Sequence, residues 1–184
     1  MRLLAHPAEA GWYNGAIVRQ RIWHHLVPFA APIVRRMPWK YRRAILRVIH
    51  PTFLMGVGAV CLNPANQVLL LKHRFLNEAY AWGLPSGNIE RGETPEQGIR
   101  REVYEETGFT LERVIPVHVD SDLRLVEVFF LARVDGHAPR LQLDEVTEWA
   151  WCDPATVTLP MRSSHQAALR QAVGLLPALG PHLP

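Results

Sequence analysis

The stretch that most constrains this chain runs from Gly87 to Phe109, GNIERGETPEQGIRREVYEETGF. Thr94 is placed to cap a helix whose first turn holds Pro95 and Glu96, Gln97 stands three residues after the cap, and Gly108 suits a left-handed stop. These signals predict a helix over Thr94 to Thr107. At about 100° per residue, Glu102, Glu105 and Glu106 fall within an arc of roughly 100°, so three carboxylates share one face. Pairs ~5 Å apart at an effective dielectric near 20 repel by ~3 kcal/mol, which opposes an isolated helix unless a cation sits between them. A hard, oxygen-seeking divalent ion such as Mg²⁺ or Mn²⁺ suits that face. The plain alternative is a solvated, salt-bridged helix face. Gly98 lies one turn before Glu102 and costs ~1 kcal/mol relative to Ala inside a helix. The room it leaves serves either close packing against a neighbour or entry of the preceding loop, a water or a phosphate.

The order Gly87, Glu93, Arg101-Glu102, Val103, Glu105-Glu106 and Gly108-Phe109 resembles the signature of the Nudix hydrolases position for position. The resemblance covers roughly residues 53–176 and implies an α/β fold, the Nudix αβα sandwich with a mixed β-sheet. It implies metal-dependent hydrolysis of a pyrophosphate bond in a nucleoside diphosphate linked to another moiety, with water attacking phosphorus. Glu102, Glu105 and Glu106 would bind Mg²⁺ or Mn²⁺, with the backbone carbonyl of Gly87 as a further ligand. Glu93 would pair with Arg101 and orient the helix face, and Glu105 or an acid from a neighbouring loop would serve as base. Ser86 stands where the family often has a second Gly, and Gly98 where a small residue such as Ala is usual.

Outside the motif, Glu145 and Glu148 are candidates for base or metal functions, against a plain role as solvent-facing charges. Arg74 is a candidate phosphate contact and Trp82 a candidate base-stacking residue; the bland readings are a solvated strand end and a core aromatic. Two other readings of the fold stay open: a nucleotide-sensing regulator without turnover, and a pyrophosphohydrolase of RNA 5′ ends. The intact glutamate set argues against the first, because binding alone does not require clustered carboxylates.

Before and after the helix the chain reads as alternating elements. Strand-like runs cover Phe53 to Leu62 and Gln67 to Arg74 around an Asn63-Pro64-Ala65-Asn66 hairpin, then Leu111 to Val119, Leu123 to Val134 and Glu148 to Cys152. A final helix is expected from a Ser164 cap to about Leu176. The expected domains are a basic, partly helical extension over 1–52, a Nudix domain over 53–176 and a Pro-rich tail over 177–184.

Charge is divided unevenly between these parts. Residues 1–50 hold nine Lys and Arg against Glu9 alone, net +8, whereas the remaining 134 residues hold eleven against sixteen acids, net −5. Helical spacing within Gly15 to Val27, and again after Pro38 in WKYRRAILRVIH, makes the extension a basic amphipathic arm; Met1 to Asn14 reads as a loose end. Such an arm packs on its own domain, joins a second copy as a homodimer, lies on an anionic membrane surface or contacts nucleic acid, the last ranking lowest. No run of ~20 apolar residues is present to span a bilayer. Cys61 and Cys152 have no CxxC spacing, so the expected setting is a reducing cytoplasm, with peripheral membrane contact as the variant.

Overall fold

The protein is represented by a computed structural model that describes residues 35–49, 52–122, 124–142 and 144–179. The expected elements before residue 35 lie outside the described residues. The chain divides between Thr52 and Phe53 into two units. In the first, helix α1 spans Trp39–Ile49, opening after Pro38 as its sequence predicts, with the Pro38 carbonyl accepting from the Tyr41 and Arg42 amides. Trp39 and Tyr41 are exposed, with Arg42 over the Trp39 ring and Lys40 over the Tyr41 ring.

The second unit is built on a seven-stranded mixed sheet. Its strands are β1 (Leu54–Leu62), β2 (Val68–His73), β3 (Trp82–Gly83), β4 (Ser86–Asn88), β5 (Ile115–Ser121), β6 (Leu125–Arg133) and β7 (Val146–Cys152). The order along the main path is β3-β2-β1-β6-β5, with β4 paired to β1 and β7 to β2. β1 and β6 run parallel in unbroken register from Leu54↔Leu125 to Leu62↔Arg133, and all other strand pairings are antiparallel.

Alternation along the central strands sorts the core onto two faces. Val57, Ala59, Leu69, Leu71 and Phe130 join Ile99 and Val103 of α2 (Pro95–Thr107), while Val60, Leu70, Phe129 and Leu131 join Ala168, Leu169 and Ala172 of α3 (Ser163–Leu179). Each fully buried Leu or Phe of this kind contributes roughly 1.5–3 kcal/mol of transfer free energy. The result is the expected αβα sandwich.

Several boundaries differ from the sequence reading, most by one or two residues. β5 starts at Ile115 because Leu111, read as strand, is a buried core residue of the connection after α2. β7 starts at Val146, a fully buried residue that pairs with His73 across a bulge. α3 begins at Ser163 and continues through Pro177 to Leu179, past the expected end at Leu176, since the loss of one backbone N–H so near the C-terminus leaves most helix bonds in place. Among the described residues no helix is long and apolar enough to cross a membrane.

Candidate active site

Helix α2 starts as its sequence dictates. The Thr94 hydroxyl accepts from the Gln97 amide while the Gln97 side chain accepts from the Thr94 amide, which closes a capping box. At the other end Gly108 adopts φ 74°, and its amide donates to the Tyr104 carbonyl. Between these stops, Ile99 and Val103 anchor one face in the core and so fix where the side next to it points.

That side carries Glu102, Glu105 and Glu106 in three environments. Glu106 is buried, and its Oε2 accepts from the Ser86 amide at 3.0 Å. Burial pushes its pKa well above the ordinary value despite that hydrogen bond, and Glu102, Glu145 and Glu105 add repulsion. Glu102 is pushed up by burial too, and Arg101 opposes the shift. The Glu105 side chain is 48% exposed.

Arg101 gathers this face. Its Nε and Nη2 donate to the two oxygens of Glu93 at 2.8 and 3.0 Å, and Nη1 donates to Glu102 at 2.9 Å and Glu105 at 3.0 Å. Nη2 also donates to the Asn88 carbonyl at 2.9 Å, which ties the helix to β4. Hydrogen bonds from Arg101 and then from the Glu90 amide hold the Glu93 carboxyl down to about 2. Arg101 holds Glu102 and Glu105, and among the described residues no three His, Cys, Asp or Glu side chains form a closed ligand cage.

The donor set nevertheless fits a hard divalent cation. Ionised Glu106 and Glu102 are disfavoured by burial and by each other, so a cation on this face would relieve an existing electrostatic cost. Gly87 is the second observation: a Cβ there would lie 2.0 Å from Glu102 Cδ, so only glycine lets that carboxylate lie against the β4 backbone. Gly98 has a simpler role, since the atoms nearest its missing side chain belong to Glu93, Ile89 and Val57, at packing distances.

Beside this face lies a cleft of about 280 Å³, reached by Ser86, Gly87, Trp82 and Glu145. Glu145 is brought to the carboxylate face and raises the pKa values of both Glu102 and Glu106. Glu148 is directed elsewhere, accepting from Lys72 Nζ at 3.1 Å across the β2–β7 pair. The Arg74 amide donates to the Glu145 carbonyl at 2.8 Å, and Arg74 does not line the cleft. Trp82 both lines the cleft and packs against the α3-side core.

Four cleft residues with ionisable side chains have no counterpart among the site residues read from the sequence: His73, Glu127, Arg162 and His165. Arg162 Nη2 donates to Glu127 Oε1 at 2.7 Å and sits 2.5 Å from His165 Nε2. His165 Nδ1 accepts from the Leu84 amide at 3.0 Å, and burial, then the Arg162 charge, pushes its pKa down to about 3. Glu127 is a lone carboxylate on the Phe129 and Leu131 face of β6, which is the one hint the sequence offers. Its partner is 35 residues away, and no local spacing predicts that pairing.

Comparison with known proteins places this geometry. The model of the NUDIX domain matches residues 52–172. A MutT-like protein of Streptomyces ambofaciens is 34% identical over 135 residues, 72% of this chain and 83% of that protein. An RNA pyrophosphohydrolase of Dinoroseobacter shibae is 32% identical over 124 residues, 55% of this chain and 77% of that one. Among solved structures, the NUDIX domain of Shewanella oneidensis NrtR complexed with ADP ribose superimposes with a TM-score of 0.61 at 25% identity, over 75% of this chain and 98% of that one. The matched span contains the whole capped helix, Gly87 and the cleft, and the chain belongs to the Nudix hydrolase family.

Proposed function

We propose that the chain is a pyrophosphohydrolase of a small nucleotide, cutting between two phosphates with water and using Mg²⁺ or Mn²⁺. The observation that carries this reading is the carboxylate face itself: Glu102 laid on Gly87, Glu106 buried against Ser86 and Glu105 left accessible, all beside an open cleft. Glu102, Glu105, Glu106 and Gly87 would hold the ion, which supplies charge neutralisation for phosphate oxygens and acidifies water. Glu93 and Arg101 position the helix face. Glu105, the most exposed of the three, is placed to take a proton from the attacking water, and Glu145 is the second candidate for that role.

The test is product release from nucleoside triphosphates, nucleotide sugars, dinucleotides and CDP-alcohols with Mg²⁺ or Mn²⁺, with Glu105→Gln as control. A metal-dependent product lost in the control supports the reading, and silence across the panel overturns it.

A second reading, hydrolysis at RNA 5′ ends, takes support from the relative named an RNA pyrophosphohydrolase and from the net +8 of residues 1–50. It requires RNA affinity that falls steeply with salt and weakens when residues 1–50 are removed. The exposed Trp39 and Tyr41 interleaved with Lys40, Arg42 and Arg43 suit an anionic membrane surface instead; in that case the arm binds anionic vesicles and not RNA.

A further inference from the structure

Two nitrogen donors, Arg162 Nη2 and His165 Nε2, meet in the wall of the cleft. The Leu84 amide donates to His165 Nδ1, so Nδ1 offers its lone pair, and the neutral imidazole carries its proton on Nε2. Burial and the neighbouring guanidinium keep the ring neutral. Arg162 Nη2, itself only a donor, stands 2.5 Å from that Nε2. The contact is therefore donor against donor, and the close approach is sustained from the other side by Glu127. Apart from the bond to Glu127, no guanidinium N–H of Arg162 meets an acceptor among the described residues. His73 adds a third unmet group: its Nε2 is buried without a partner, and both imidazoles crowd the same glycine, Gly83. Two donors converging on one point are complementary to an acceptor oxygen, and a guanidinium matches a phosphate in both charge and fork geometry.

We propose that Arg162 and His165 form a phosphate-oxygen site in the cleft, which takes a non-bridging oxygen of the bound nucleotide in competition with Glu127. The inference rests on the cleft being the pyrophosphate site, since Gly87, Ser86 and Glu145 line the same cavity. Arg162, Glu127 and Leu125 also line an adjoining cavity of about 440 Å³, so the guanidinium stands where the two spaces meet. A phosphate drawn onto Arg162 would leave the rest of the substrate at the mouth of that second space. Glu127 acts as the stand-in acceptor that keeps the guanidinium in place when no ligand is bound, and Gly56, whose Cβ would lie 3.2 Å from Glu127 Cγ, leaves it room.

The test is calorimetric titration with methylenediphosphonate, a pyrophosphate analogue that is not hydrolysed, in the presence of Mg²⁺. Arg162→Gln weakens binding by about tenfold or more, the value of one charge-assisted hydrogen bond. Arg162→Lys recovers part of the loss. Glu127→Gln removes the competing carboxylate and tightens binding, which a purely structural ion pair would not do. Absence of binding by the wild-type protein overturns the inference, and so does equal weakening in Arg162→Gln and Glu127→Gln. If Arg162→Gln does not fold, the sign of the Glu127→Gln change decides. Unchanged affinity in a folded Arg162→Gln, with Mg²⁺-dependent nucleotide turnover intact in the wild type, removes this inference and leaves the enzymatic reading standing. Arg162-dependent binding without turnover of any nucleotide does the reverse.

Discussion

Arg101 grips Glu93 through both edges of the two groups, Nε to one carboxylate oxygen at 2.8 Å and Nη2 to the other at 3.0 Å. The pair joins the loop before α2 to the middle of the helix, and it leaves Nη1 for Glu102 and Glu105. Lysine retains the charge and loses the fork. Arg101→Lys is expected to lower kcat by about tenfold to a hundredfold through misplacement of the carboxylates, with a smaller change in KM. Steady-state kinetics on the substrate identified by the panel measure both, and an unchanged kcat would remove the positioning role.

Glu105→Gln and Glu106→Gln separate chemistry from folding. Each is expected to cut turnover by about 10²–10⁴-fold, the usual range for loss of a positioned acid or base. Their thermal behaviour should differ. Glu106 is buried and costly to ionise, whereas Glu105 is half-exposed, so Glu106→Gln raises the Tm of the metal-free protein and Glu105→Gln leaves it nearly unchanged. At this chain length each ~1 kcal/mol appears as about 2–4 °C. A Tm that drops in Glu106→Gln, read by scanning calorimetry in chelator, would contradict the burial argument.

The pH dependence of metal-free stability has a defined sign. An acid whose pKa is raised on folding holds its proton more tightly when folded, so stability declines as pH climbs from the ordinary value of 4.5 through the elevated one. Glu102 and Glu106 both act this way. Glu93 runs the other way: its contribution is complete above 4.5 and disappears only as pH falls toward about 2. Between pH 4.5 and neutrality Glu102 and Glu106 lower stability as pH rises, whereas His73 and His165, whose pKa values burial depresses, raise it, so the Glu106 part is read as a difference against Glu106→Gln. Wild-type Tm in chelator should fall with rising pH relative to Glu106→Gln, and a constant difference between the two curves would rule this out. Metal affinity should rise over the same window, because ligand carboxylates must be ionised.

Gly87→Ala tests the cradle beneath Glu102. The new methyl would lie 2.2 and 2.3 Å from the two carboxylate oxygens, so Glu102 must swing away. The expected outcome is loss of about 1–3 kcal/mol of stability from overpacking, together with a large drop in metal-dependent Tm gain. Mn²⁺ titration followed by calorimetry checks the second part; a metal response equal to wild type would show that Glu102 is not a ligand.

Local chemistry made α2 legible. Thr94 and Gln97 mark its start and Gly108 its end, each by a local signal, and its carboxylate face follows from helical periodicity. The pairing of Glu93 with Arg101 came from family resemblance, and the structure has the two in contact. Glu145 and Glu148 could not be told apart in sequence, because what separates them is the pairing of Glu148 with Lys72 from another strand. Arg162 and His165 were invisible for a similar reason: each owes its place to residues more than 30 positions distant, Glu127 and Leu84. Leu111 misled because an apolar residue anchoring a connection has the same composition as one in a strand.

The parallel pair at the centre of the sheet sets the order in which this molecule can be built. Some pair in the register from Leu54↔Leu125 to Leu62↔Arg133 must meet before β1 and β6 can zip, and closing a loop of that span costs ~4 kcal/mol of chain entropy before any ladder bond repays it. Hairpin β1–β2 and helix α2 rest on local contacts and need no such closure. Gly56 and Glu127, neighbours in the parallel register, bring the two walls of the cleft together only at that step. During synthesis, a nascent chain that has not yet exposed β6 carries the whole glutamate helix and has no cleft to use it in.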